Sequence, residues 1–206
     1  MAVLHRATIT PTKAELLADW VPTQPWGSPG LEVVGGFRFD DPDGQVGVET
    51  MIVRTGEGRF LQAPLTYRPA PLAGAEQHLI CTMEHSVLGP RWIYDGCADP
   101  VYVRELAACV LTGAPQAQAW LEGEDVPLEP AVRVTGSGSG SSDVAVPPID
   151  TVVATSDAAG TVVEAGALRI VVRRRLDLPA PATASAATLT GTWAGVDDPV
   201  LLAHVA

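Results

Sequence analysis

Polar side chains interrupt several otherwise apolar, strand-like stretches of this chain. Glu49 stands in Val46-Gly47-Val48-Glu49-Thr50, Tyr67 and Arg68 follow Pro64-Leu65-Thr66, Glu84 and His85 are adjacent, and Arg91 precedes Trp92. A carboxylate beside an imidazole suggests proton transfer, and Tyr, Arg and Trp together suggest a recognition surface. Alternation along a strand sends neighbours to opposite faces, so Glu84, His85 and Ser86 cannot all converge on one substrate. No G-x-S-x-G elbow is present to expose a serine nucleophile. The structural reading of the same residues makes Glu49 and Arg91 a cross-strand ion pair and places the aromatics in the core.

Other chemistries find less support. The chain has no G-x-x-x-x-G-K-[ST] loop, and its only lysine is Lys13. The Gly/Ser run at 136–142 lacks the strand before and the helix after that would aim amides at a phosphate, so it reads as a linker. His5, His78, His85 and His204 are scattered, with no cysteine or histidine at metal-ligand spacing, so no metal and no cofactor is expected. Cys81, Cys97 and Cys109 form no C-x-x-C pair. Cys109 reads as a buried, inert thiol, and the set as that of a reducing compartment. Trp26, in Pro25-Trp26-Gly27-Ser28-Pro29-Gly30, could stack on a sugar together with Trp92 and Tyr67, but a loop tryptophan more often plugs a core. Arg173-Arg174-Arg175 reads as an aggregation guard on an edge strand.

The elements that must position these residues are legible in outline. After a possible strand at 3–9, Thr12 with Glu15 three residues on is a capping-box pattern, with Leu16, Leu17 and Trp20 on the apolar face and Pro22 closing the helix. Stretches 31–39, 46–54, 60–67, 78–84 and 91–94 alternate with turns such as Asp41-Pro42-Asp43-Gly44. Connections this short make an antiparallel meander. A second helix starts at Asp99-Pro100 and ends at Gly113, with Val103, Leu106, Ala107 and Val110 as its apolar stripe. Residues 116–121 could add a further helical turn. Later come β-rich runs at 151–154, 161–174, 188–193 and 200–205, with an Ala/Pro spacer at 179–187. The last 55 or so residues contain one aromatic, Trp193, too little to fold alone. The expectation is therefore one α+β domain over 1–206. Its meander and helices occupy 1–135, a flexible loop 136–150, and strands that extend the same sheet 151–206.

Hydrophobic residues make up 47% of the 206, and charged ones 18%, the composition of a globular chain. A net charge of −11 repels phosphate backbones and anionic lipid, so neither nucleic acid nor membrane is an expected partner. Without a signal-peptide pattern or an apolar stretch of about 18 residues, the cytoplasm is the expected location.

Three segments occur in an order that resembles a known family: Val46-Gly47-Val48-Glu49-Thr50, Pro64-Leu65-Thr66-Tyr67-Arg68, and Thr82-Met83-Glu84-His85-Ser86-Val87-Leu88-Gly89-Pro90-Arg91-Trp92-Ile93-Tyr94-Asp95-Gly96. With the opening His5-Arg6-Ala7-Thr8 and Asp99-Pro100-Val101, they make roughly residues 1–112 similar to the N-terminal cap of actinobacterial maltokinases. The resemblance implies a curved antiparallel sheet against two or three helices, cystatin-like in outline. In that family the cap precedes a kinase body that phosphorylates maltose with ATP and associates with trehalose synthase. No H-x-D catalytic loop or metal-binding aspartate follows residue 112, so kinase activity is not expected to carry over.

Three functions compete on this reading. The first is a non-catalytic accessory or regulatory module for a sugar kinase or a trehalose/α-glucan enzyme. The second is a small carbohydrate- or ligand-binding domain. The third is a small enzyme using Glu49, Tyr67, Glu84 or His85.

Overall fold

The protein is described from a computed structural model, which covers residues 2–4, 6–138, 145–177 and 187–206. The chain runs β1 (Ala2–Leu4), β2 (Ile9–Thr10), α1 (Lys13–Trp20), β3 (Glu32–Phe39), β4 (Gly47–Arg54), β5 (Phe60–Arg68), β6 (Leu79–His85), β7 (Gly89–Asp95), α2 (Pro100–Thr112), β8 (Ala119–Leu121), β9 (Val132–Gly136), β10 (Val153–Ser156), β11 (Gly160–Ala165), β12 (Leu168–Arg173), β13 (Thr188–Trp193) and β14 (Val196–Val205). This is an α+β architecture of mostly antiparallel sheets, and among the described residues no helix is long and apolar enough to cross a membrane.

Both helices start as their sequences dictate. Thr12 accepts from the Glu15 amide while the Glu15 carboxylate accepts from the Thr12 amide, a reciprocal capping box. Asp99 caps α2 by accepting from the Val101 amide, Pro100 fills the first turn, and Gly113 exits in the left-handed region at φ 75°.

The first sheet has the order β2-β6-β7-β5-β4-β3, antiparallel throughout. It departs from strict sequence order twice: β2 lies beside β6 and not β3, and β7 and not β6 lies beside β5. The connection over 69–78 is long enough to carry the chain past one strand position, roughly 5 Å further out. It is pinned where the Leu72 amide donates to the Tyr94 hydroxyl (2.9 Å). One face of this sheet buries Met51, Val53, Leu61, Ala63, Leu65, Met83 and Ile93 against Leu16 and Leu17 of α1. The other face, with Phe37, Phe39, Val48 and Ile52, packs on α2.

The later strands do not lengthen this sheet, as was expected of 151–206. With β9 they form a second sheet, β10-β11-β12-β14-β13-β9, on the other side of α2. The reason lies in α2 itself. Tyr102 and Cys109 are buried as well as the four residues of the expected stripe, so the helix is apolar over too wide an arc for one sheet to cover. The two sheets touch through a short bridge. Residues 174–176 run on from β12 and pair with the half of β5 that β7 leaves free, Gln62 donating its amide to Arg174 and Leu176 its amide to Phe60. One further expectation fails locally, and one gains detail. Residues 119–121 are a strand, paired in parallel with β1, and not a helical turn. The run 161–174 folds back on itself as the β11–β12 hairpin.

The Gly/Ser stretch read as a linker begins as built structure. Gly136 ends β9 opposite Leu189, the Ser137 amide donates to the Thr188 carbonyl (2.8 Å), and the Gly138 amide donates to Val110 at the end of α2 (3.1 Å). A Cβ at Gly136 would lie 1.8 Å from the Cys109 carbonyl oxygen, so the strand can cross the helix end there only without a side chain. Residues 139–144, the rest of that stretch, and 178–186, most of the Ala/Pro spacer, lie outside the described residues. Gly136→Ala should destabilise the fold by about 1–3 kcal/mol through this clash. Calorimetry reads the effect as a lower Tm, and an unchanged Tm would show that helix and strand can separate freely.

Candidate functional site

The candidate site lies on the α1 side of the first sheet. Register decides which side chains meet there. Glu49 sits opposite Arg38 on β3, Tyr67 opposite Gly47, Arg91 opposite Met83, and His85 opposite Ile9 and Gly89. Since directly paired residues share a face, Glu49, Tyr67, Arg91 and His85 are on one side of the sheet, and Arg68, Glu84 and Trp92 on the other. The expected set is thus split by the sheet. A cleft of about 560 Å³ opens on the first side, with Ile9, Lys13, Arg38, Tyr67, His85 and Arg91 in its lining.

Glu49 is the hub beneath it. Only 7% exposed, its carboxylate receives Lys13 Nζ at 2.6 Å, Arg38 Nη2 at 3.1 Å and the Tyr67 hydroxyl at 2.9 Å. Burial alone would push its pKa up, but the charges of Arg38 and Lys13, with the hydrogen bonds of Lys13 and Tyr67, outweigh that and hold it at about 2. Burial, and then the Glu49 charge, push the Tyr67 phenol well above its ordinary value. Both groups therefore keep one protonation state across the physiological range, which suits a fixed scaffold better than proton transfer.

The expected Glu49–Arg91 ion pair is not formed. Glu49 is served within its own hairpin by Arg38 and from α1 by Lys13, and Arg91 lies on β7, two strands away. Lys13 and Arg38 were missing from the sequence-based set: equal counting outward from the Asp41–Gly44 turn puts Gly47 opposite Arg38, and the register observed, two residues on, puts Glu49 there. His85 closes the β6–β7 turn, its Nδ1 accepting the amides of Val87 (3.3 Å) and Leu88 (3.1 Å). On the opposite face Arg68 makes a two-pronged contact with Asp99 (2.6 and 2.7 Å), tying β5 to the cap of α2. Glu84 is exposed, and Trp92 is half-buried between its neighbours Arg68 and Thr82 in the sheet register.

Of two other sequence readings, the core plug at Trp26 holds and the edge guard at Arg173-Arg174-Arg175 changes. Trp26 is 1% exposed and offers no stacking surface. It packs edge-on against Trp20, and the Arg174 guanidinium lies 4.7 Å over its ring. Arg174 itself guards no edge: β12 is an interior strand, and Arg174 is fully buried on Asp95, with Nη2 2.5 Å from both carboxylate oxygens and Nε donating to Thr161 (2.8 Å). Cys109 is buried as expected, and burial pushes its thiol up to about 11. Among the described residues no group of three or more His, Cys, Asp or Glu is placed to hold a metal ion.

Compared with known families, residues 20–99 match the maltokinase N-terminal cap domain. The match runs from the end of α1 through β7 to the cap of α2, less than half of the 206 residues, and lies inside the expected stretch of 1–112. No curated protein matches the chain.

Proposed function

Because residues 20–99 are a maltokinase N-terminal cap-like domain, we propose that this chain is a non-catalytic accessory module that acts on a sugar kinase or a trehalose/α-glucan enzyme. The observation that carries the reading is the cap match, which falls on the first sheet, the part that bears the cleft. The state of the polar residues supports it too. Glu49 is held ionised by two cations, and Glu84 projects from the face opposite to Glu49, Tyr67 and His85, which supports a binding role over proton transfer among these four. The three cysteines are unpaired, in keeping with work in the cytoplasm.

The purified chain is expected neither to hydrolyse ATP nor to phosphorylate maltose or glucose. Sugar-stimulated, metal-dependent turnover above that of a heat-inactivated control would overturn the non-catalytic reading. The accessory role is tested by mixing the chain with a purified maltokinase and following co-elution in size-exclusion chromatography, together with the kinase rate. Independent elution at tens of micromolar with an unchanged rate would count against it.

A further inference from the structure

We propose that the cleft beside α1 binds a small organic phosphate, and that Arg91 is its principal ligand. Every other described cationic side chain has a partner. Lys13 and Arg38 share Glu49, Arg6, Arg54, Arg59, Arg68, Arg104, Arg133, Arg169, Arg174 and Arg175 each contact a carboxylate, and Arg173 also has a partner. Arg91, half-buried in the cleft lining, has none among the described residues. In a chain of net charge −11, a carboxylate partner would have been easy to supply. A partly desolvated guanidinium left open in a cleft is a site for an anion that arrives from outside.

The charge count sets the class of anion. Lys13, Arg38 and Arg91 line the cleft, and the buried Glu49 beneath them balances one of the three, leaving two positive charges that Glu49 does not match. A phosphate monoester carries about −1.5 to −2 at neutral pH, and a carboxylate only −1. The Asp41 side chain, also buried in the lining, is balanced by the Arg104 guanidinium 3.4 Å away, which adds one positive charge against its negative one. Exposed Asp40 remains at the rim. A chain of net charge −11 repels extended polyanions more than a compact one that enters the cleft. The volume of about 560 Å³ is in the range of small-molecule sites and far exceeds a phosphate group, so the ligand has an organic body, met by Ile9, Met83 and Leu88.

The test is calorimetric titration of the full chain, in a phosphate-free buffer at fixed salt, with glycerol 3-phosphate and with glycerate as its carboxylate counterpart. Saturable binding of glycerol 3-phosphate, stronger than that of glycerate, is expected. Arg91→Gln should weaken it by roughly tenfold or more, since a charged hydrogen-bonding partner is lost. Because Arg91 has no structural partner among the described residues, the same variant should melt at the wild-type temperature. Arg54→Gln, which disturbs only an exposed pair with Glu32, should bind as wild type. Absence of saturable binding, equal binding of glycerate, or undiminished binding by a folded Arg91→Gln protein would each overturn the proposal. These outcomes do not depend on whether the chain associates with a kinase.

Discussion

Arg174→Met is expected to lower the melting temperature by roughly 10 °C. The guanidinium is wholly buried where the two sheets meet, bridging Asp95 at the end of β7, Thr161 on β11 and the face of Trp26. Burial opposes its charge, but Asp95 more than compensates, and its pKa rises above the ordinary value. Removing it strands the Asp95 carboxylate in a dry setting, a loss of about 3–5 kcal/mol. In a chain of this size each kcal/mol moves Tm by about 2–4 °C. The pair itself contributes less than that figure, since its own desolvation is costly. The double variant Asp95→Asn with Arg174→Met should therefore regain much of the loss, as the asparagine can still accept from the Cys97 amide that Asp95 caps. Thermal melts of wild type, single and double variants check this. A single variant as stable as wild type would sink it.

Glu49→Gln is the second large effect, and it has a pH signature. The carboxylate is depressed from its ordinary 4.5 to about 2, so the folded state holds the ionised form more tightly than the unfolded state does. The sign follows: the stabilisation is complete above the unfolded value near 4.5 and is lost as pH falls towards 2. At pH 7 the variant should melt several degrees below wild type, because Lys13 and Arg38 lose their counter-charge and an amide NH2 replaces one of the two oxygens that Lys13, Arg38 and the Tyr67 hydroxyl share. Between pH 4.5 and 2 the two melting temperatures should converge. A gap that stays constant over that window would mean that packing, not charge, accounts for the loss.

Local chemistry made part of this structure legible in the sequence. Thr12 with Glu15, and Asp99 with Pro100, specify helix starts through bonds within a few residues, and both helices begin where those residues place them. Hairpin register is nearly as local, and it is why Glu49 meets Arg38. What could not be read depends on distant partners. The Arg174–Asp95 contact spans 79 positions, and a run of three arginines looks like surface until the facing carboxylate is known. Lys13 reaches Glu49 only because α1 docks on that face, and Arg91 misses Glu49 because the order of strands separates them. The cleft follows the same rule. His85 and Tyr67 were nameable from their types, but Lys13 and the open state of Arg91 were not.

The place of β14 bears on how the protein is made. In the second sheet this strand sits between β12 and β13, although it follows both in the chain. During synthesis β10 to β12 and the β9–β13 pair are therefore two separate pieces until β14 leaves the ribosome, and α2 waits with one flank uncovered. The first sheet and α1 have no such wait, for all of their strands are present by Asp95. The nascent chain thus holds a formed half beside an apolar helix, and the late strand turns that sticky intermediate into a closed molecule.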